Sequence, residues 1–134
     1  MWLCFNDAFV SAVQDECDHS LLKVRARSKE HLERLFPDRK GDIITSPEND
    51  YRWRIFVDKT EFARMVATRI LELDYGNFKD SVPEKDLHDM YALWWGDHWN
   101  FQYNIEHPNR YRKKKKGKGM LHPQVQDALS KMEK

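Results

Sequence analysis

Apolar and polar positions follow two rhythms along this chain, a period of two and a helical period, and their order defines the fold. The first segment places Trp2-Leu3-Cys4-Phe5 and Ala8-Phe9-Val10-Ser11-Ala12-Val13 on either side of Asn6-Asp7, which predicts one long strand or a tight hairpin. Asp15 to Ser20 is a polar loop. Leu22-Lys23-Val24-Arg25-Ala26-Arg27 then alternates apolar with basic, the pattern of a half-buried strand. Ser28 is placed to cap a short helix from Lys29 to Phe36, with Leu32, Leu35 and Phe36 on one stripe and Pro37 ending it. Asp42 to Thr45 predicts a brief strand and Ser46-Pro47-Glu48-Asn49-Asp50 a turn.

Tyr51-Arg52-Trp53-Arg54-Ile55-Phe56-Val57 alternates again. Asp58 and Glu61 make an Asp-x-x-Glu variant of the capping box, opening a helix from Lys59 to about Leu73. Its predicted buried stripe is Phe62, Val66, Ile70 and Leu73, with Met65 and Ala63 flanking. Ser81 and Glu84 repeat the capping pattern, with Pro83 in the first turn of a helix to about Trp95 that carries Leu87, Met90, Tyr91, Trp94 and Trp95. After Gly96, Trp99, Phe101 and Tyr103 alternate with Asn100, Gln102 and Asn104, which predicts an extended segment. Pro123 opens a last short helix with a thin stripe of Leu121, Val125, Leu129 and Met132, too weak to form alone.

This order predicts an α+β domain: an antiparallel sheet of about four strands with two to three helices packed on one face. Without the last helix it is β-β-α-β-β-α, a β-α-β-β-α-β ferredoxin-like sandwich with its final strand moved to the front. The predicted organisation is a compact domain over 1–104 and a basic, flexible tail with a short C-terminal helix over 105–134.

Charge sharpens that division. Residues 1–109 carry 14 Lys/Arg against 20 Asp/Glu, and residues 110–134 carry 9 against 2, so a total of +1 combines an acidic body with a basic tail. The tail opens Arg110-Tyr111-Arg112-Lys113-Lys114-Lys115-Lys116-Gly117-Lys118. Such a run self-repels and commonly serves as an arm for polyanions, each phosphate it neutralises releasing counterion; the alternative is a solubilising or partner-docking tail. No apolar run approaches the ~20 residues that span a bilayer. The opening Met1-Trp2-Leu3-Cys4-Phe5 lacks the basic start of a signal peptide, so the expected place is inside the cell. Cys4 and Cys17, the two cysteines, are expected as free thiols without a zinc framework, Cys4 as a small core residue.

Alternation carries the charge argument into the body. If helices cover the face of Leu22, Val24, Ala26, Tyr51, Trp53, Ile55 and Val57, the opposite face displays Lys23, Arg25, Arg27, Arg52 and Arg54. A basic sheet face with aromatics nearby is one way to hold single-stranded nucleic acid; the plain alternative is a solvated face of long charged side chains. The aromatic-rich signature strand of RNA-recognition modules is absent. Trp94 and Trp95 lie ~100° apart around a helix, so one of them is expected at the rim with Trp99, as an anchor for protein contact. Tyr103, His107 and Tyr111 are candidates to stack on bases.

Enzymatic chemistry finds little support. His88-Asp89 and Asp97-His98 sit 10 residues apart, ~15 Å along a helix, too far for one ion unless the helix breaks at Gly96. No zincin, Cys-x-x-Cys, P-loop or nucleophile-elbow motif occurs. His31, beside Glu30 and Glu33 on the short helix, is expected to be exposed. No catalytic residue, metal or cofactor is expected.

The opening Met1-Trp2-Leu3-Cys4-Phe5-Asn6-Asp7-Ala8-Phe9, Val24-Arg25-Ala26-Arg27, Asp50-Tyr51, Asp74-Tyr75-x-Asn77-Phe78-Lys79-Asp80-Ser81-Val82 and Leu87-His88-Asp89-x-Tyr91 resemble a family of small bacterial and phage proteins, over about residues 1–95. The resemblance implies a bacterial, prophage or phage setting, hence the host cytoplasm, and carries over no activity. In that setting, small acidic domains without an active site are often stoichiometric inhibitors of host defence machinery, CRISPR effectors included. The leading expectation is a non-enzymatic binding protein for nucleic acid, or for a host complex bearing it. A defence inhibitor acting through protein contacts comes second, and a metal-dependent hydrolase using His88, Asp89 and His98 third.

Overall fold

The computed structural model describes residues 1–108, so the basic run from Arg110 to Lys118 and the predicted C-terminal helix lie outside the described residues. The chain divides into two compact units, Met1–Pro83 and a second beginning at Glu84.

The first unit is built on five strands: β1 (Trp2–Cys4), β2 (Phe9–Gln14), β3 (Leu21–Ala26), β4 (Ile44–Thr45) and β5 (Trp53–Asp58). They lie in the order β1-β2-β3-β5-β4, and every pair is antiparallel. The opening segment is therefore a hairpin, turning at Asn6-Asp7 with Trp2 opposite Ser11 and Cys4 opposite Phe9. The order β2-β3-β5-β4, with a helix after β3 and another after β5, is the one the permuted sandwich requires, and β1 extends it at the edge. The fifth strand separates this sheet from the four expected.

Helices α1 (Lys29–Leu35) and α2 (Lys59–Leu71) cover one face. Val10 and Ala12 from β2, Val24 and Ala26 from β3, and Ile55 and Val57 from β5 meet Leu32, Leu35, Phe36 and Phe62 in one buried cluster. The period-two reading of these strands therefore holds. Asp58 caps α2, its side chain accepting from the Thr60 N–H at 2.7 Å. Ser28 occupies the cap position of α1 but turns its hydroxyl to the Glu30 carboxylate.

Several expectations fail for local reasons. The α2 stripe is buried at Phe62, half-buried at Met65 and Val66, and then surfaces: Ile70 is 64% exposed and Leu73 is exposed beyond the helix end. Cys4 faces outward on the short edge strand, while His31 is buried and its Nδ1 accepts from the Phe9 N–H at 3.3 Å. Ser81 closes a 3-10 turn, Lys79–Ser81, by donating to the Phe78 carbonyl at 2.7 Å, so it forms no capping box with Glu84.

The second unit holds α3, Lys85–Glu106, a single helix of 22 residues. It passes through Gly96 and absorbs the segment predicted as extended. A glycine costs a helix about 1 kcal/mol against alanine, which a long helix tolerates. Trp99 and Tyr103 also serve a helix, by stacking at i,i+4, and Gln102 donates to Glu106 at the same spacing at 2.9 Å. The boundary expected at 104/105 falls inside its last turn.

Candidate nucleic-acid interface

The second face of the sheet takes its character from register. β3 and β5 pair so that Arg25 lies directly opposite Arg54, Lys23 opposite Phe56 and Ala26 opposite Trp53; across β2, Arg25 faces Ser11. Two guanidinium side chains are thereby brought side by side at the centre of the sheet. Like charges at directly opposed positions repel, so this pairing needs a reason.

Arg25 and Arg54 are only half-buried, but each has its Nε buried without an acceptor. Arg25 donates to the Ser11 Oγ at 2.9 Å, and Ser11 is only 1% exposed. Arg54 donates to the Tyr51 carbonyl at 3.3 Å. Neither has a carboxylate partner among the described residues. The other two half-buried arginines differ: Arg39 bonds Asp42 at 2.8 Å and Glu61 at 2.7 Å, and Arg69 bonds Asp7 at 3.1 Å. In a body with more acids than bases, two half-buried arginines without carboxylate partners among the described residues concentrate positive charge on this face.

Tyr51 organises the cluster. It was expected on the covered face with Trp53, Ile55 and Val57, but it precedes β5, and strand alternation does not extend to it. Its buried ring instead receives Arg25 at 4.9 Å and Arg27 at 4.7 Å from the ring centre. A guanidinium over an aromatic face is attracted by the ring quadrupole and held in a fixed plane. Arg27 also donates to the Asp50 carbonyl at 2.8 Å, with the Asp50 carboxylate at 3.8 Å.

The predicted open face is thus only partly open. Arg27 and Arg52 are exposed, whereas Lys23, Arg25 and Arg54 are half-buried. Lys23 is already balanced, by Asp15 at 3.7 Å, and its ammonium lies 6.0 Å from the Phe56 ring centre. The Asp15 carboxyl is held below the usual carboxylate range, chiefly by the Asp18 backbone N–H, with the Cys17 N–H and Lys23 adding to it. Among the described residues Arg25, Arg54 and Arg52 form no salt bridge, and Arg27 is offset in part by Asp50. Ser11 and Tyr51 were not anticipated as members of the site. Ser11 had a signal, as the one polar residue in Phe9-Val10-Ser11-Ala12-Val13.

On α3, Trp95 is exposed, and Trp94 is half-buried with its ring 6.0 Å from that of Tyr91. Trp99 is half-buried and stacks on Tyr103. His88 contacts Asp89 at 3.4 Å, and Asp89 is engaged by Lys85, which with His88 holds its carboxyl low. Among the described residues no three His, Cys, Asp or Glu side chains are grouped to hold an ion, so His88, Asp89 and His98 form no ligand set. Nor is any described helix long and apolar enough to cross a membrane. Arg110, Arg112, Lys113, Lys114, Lys115, Lys116 and Lys118 lie outside the described residues. No protein-family model matches the chain, and neither a curated protein nor a solved structure is similar to it.

Proposed function

We propose that this protein is a non-enzymatic binding protein from a phage or mobile element, one that engages nucleic acid or a host complex carrying it, through phosphate contacts. The observation that carries this is the opposed pair Arg25 and Arg54, without carboxylate partners among the described residues and with a buried Nε on each. Two planar donors side by side suit the oxygens of a phosphate. Arg52 and Arg27 border them, and the tail supplies Arg110, Arg112, Lys113 to Lys116 and Lys118 as a second, sequence-independent source of phosphate contacts.

Fluorescence anisotropy with labelled DNA and RNA across a salt series tests this. Replacing Lys113 to Lys116 by alanine is expected to weaken binding and to lower the salt slope by about 3, at ~0.7 per phosphate contact on single strands. Unchanged affinity and slope would remove the tail from the proposal. The same null result for Arg25→Met would remove the sheet.

A second reading has its own observation. α3 leaves Leu93, Trp95, Phe101 and Ile105 exposed, and Phe101 and Ile105, at i and i+4, are neighbours on one side of the helix. This favours a stoichiometric inhibitor that binds a host defence protein through α3. Co-purification with a defence effector that survives alanine replacement of the whole basic run, yet is lost in Phe101→Ser, would select it.

A further inference from the structure

Three rings line up along one edge of α3. Trp99 stacks on Tyr103 with ring centres 5.2 Å apart and planes 18° from parallel; Tyr103 stacks on His107 at 4.3 Å and 21°. They fall at i, i+4 and i+8 in the last turns of the helix and at its C-cap. His107 is fixed in place, its Nδ1 donating to the Tyr103 carbonyl at 2.9 Å. Its ring is exposed, and among the described residues only Tyr103 stacks on it. The column therefore ends in a flat, oriented, solvent-facing aromatic surface.

The sequence gives that surface a setting. Arg110 follows His107 by three residues and opens the run Arg110-Tyr111-Arg112-Lys113-Lys114-Lys115-Lys116. A stacking surface followed in the sequence by a dense cationic segment combines the two features of single-strand binders: charge that tracks the phosphates and rings on which unpaired bases lie. Resting on the proposed nucleic-acid binding, we infer that the Trp99-Tyr103-His107 column is a base-stacking platform and that the ligand is single-stranded nucleic acid. Duplex bases are already stacked on each other and offer no face to His107. Single strands and loops do.

The test is a comparison of oligothymidylate with duplex DNA of equal length, using the full chain at several salt concentrations. Tyr103→Leu combined with His107→Leu is expected to lose about tenfold or more in affinity for the single strand, the scale of one base–aromatic stack. The salt slope should stay unchanged, because no phosphate contact is removed. Duplex binding should change little. Tyr103→Phe with His107→Phe keeps the rings and should keep the affinity, which separates stacking from helix support; circular dichroism checks that α3 remains helical in both. An equal loss on duplex and single strand, or no loss on either, overturns the inference while leaving the proposed function standing. Failure of the unmodified chain to bind any nucleic acid overturns both.

Discussion

If the Arg25–Arg54 pair is kept for a ligand, the empty protein bears its cost, and removing Arg54 should make the fold more stable. Arg54→Met keeps the unbranched stem of the side chain to about the position of Nε and deletes the guanidinium with its charge. Three terms decide the sign. Repulsion between like charges at opposed strand positions costs roughly 0.2–1 kcal/mol and is relieved. The buried Nε, a donor without an acceptor, costs about 1–3 kcal/mol and disappears. Against these stands the bond from Arg54 to the Tyr51 carbonyl, long at 3.3 Å and worth roughly 0.5–1.5 kcal/mol at most. The balance is a gain of about 1 kcal/mol, or a rise in melting temperature of roughly 3–5 °C for a chain of this length. Most substitutions at half-buried positions lose about that much, so the sign itself is diagnostic. Arg25→Met should behave oppositely. It strands the buried Ser11 hydroxyl and removes the guanidinium over Tyr51. Urea unfolding at low salt and at about 1 M salt, where charges are screened within ~3 Å, gives a second check: salt should stabilise the parent chain more than Arg54→Met. A loss of about 1 kcal/mol in Arg54→Met, with no difference in salt response, would refute the reasoning and make Arg54 a structural residue.

Other consequences can be checked by the same unfolding measurements. Ile55→Ala, in the middle of the covered face, should cost about 2–5 kcal/mol in urea unfolding, because the cavity lies under both helices. The Asp15 carboxyl is held low in the folded chain, so its contribution is present above the ordinary carboxylate range and is lost as pH falls through the folded value. Asp15→Asn should therefore lower the melting temperature at neutral pH and make its fall below about pH 4 shallower; an acid limb parallel to the parent's would contradict this. Phe101→Ser should leave the unfolding free energy within about 0.5 kcal/mol of the parent, since Phe101 is 69% exposed. A marked fall would mean that Phe101 is a packing residue, not part of an exposed face.

Which parts of this molecule its sequence discloses follows from what a periodic pattern can encode. Val24, Ala26, Ile55 and Val57 were legible as one covered face because alternation depends on the strand alone. Asp58 was legible as a cap because its partner, Thr60, is two residues away. Beyond Gly96 the pattern misleads: Trp99, Phe101 and Tyr103 alternate over too few residues to distinguish a strand from a helix whose aromatic column repeats at i,i+4. The outer half of α2 misleads differently. Ile70 and Leu73 continue the stripe of Phe62 and Val66 in sequence, but burial depends on whether the sheet still lies beneath them, and periodicity does not measure that.

The candidate site belongs to the least legible class, because what defines it is register. Arg25 and Arg54 are visible in sequence as basic residues on outward positions, yet nothing in either strand states that they face one another, since the 28 residues between them include α1 and β4. A shift of one residue in the β3–β5 pairing would set Arg25 against a residue of the opposite face and dissolve the cluster. The same shift would turn Ile55 and Val57 away from Leu32 and Phe62. The apolar face therefore locks the register, and the locked register holds two like charges together whatever they cost. For the proposed phosphate contacts this means a pair of cations assembled in advance: the energy that opposes the arginines' separation comes from the core on the other side of the sheet, and no ligand has to supply it.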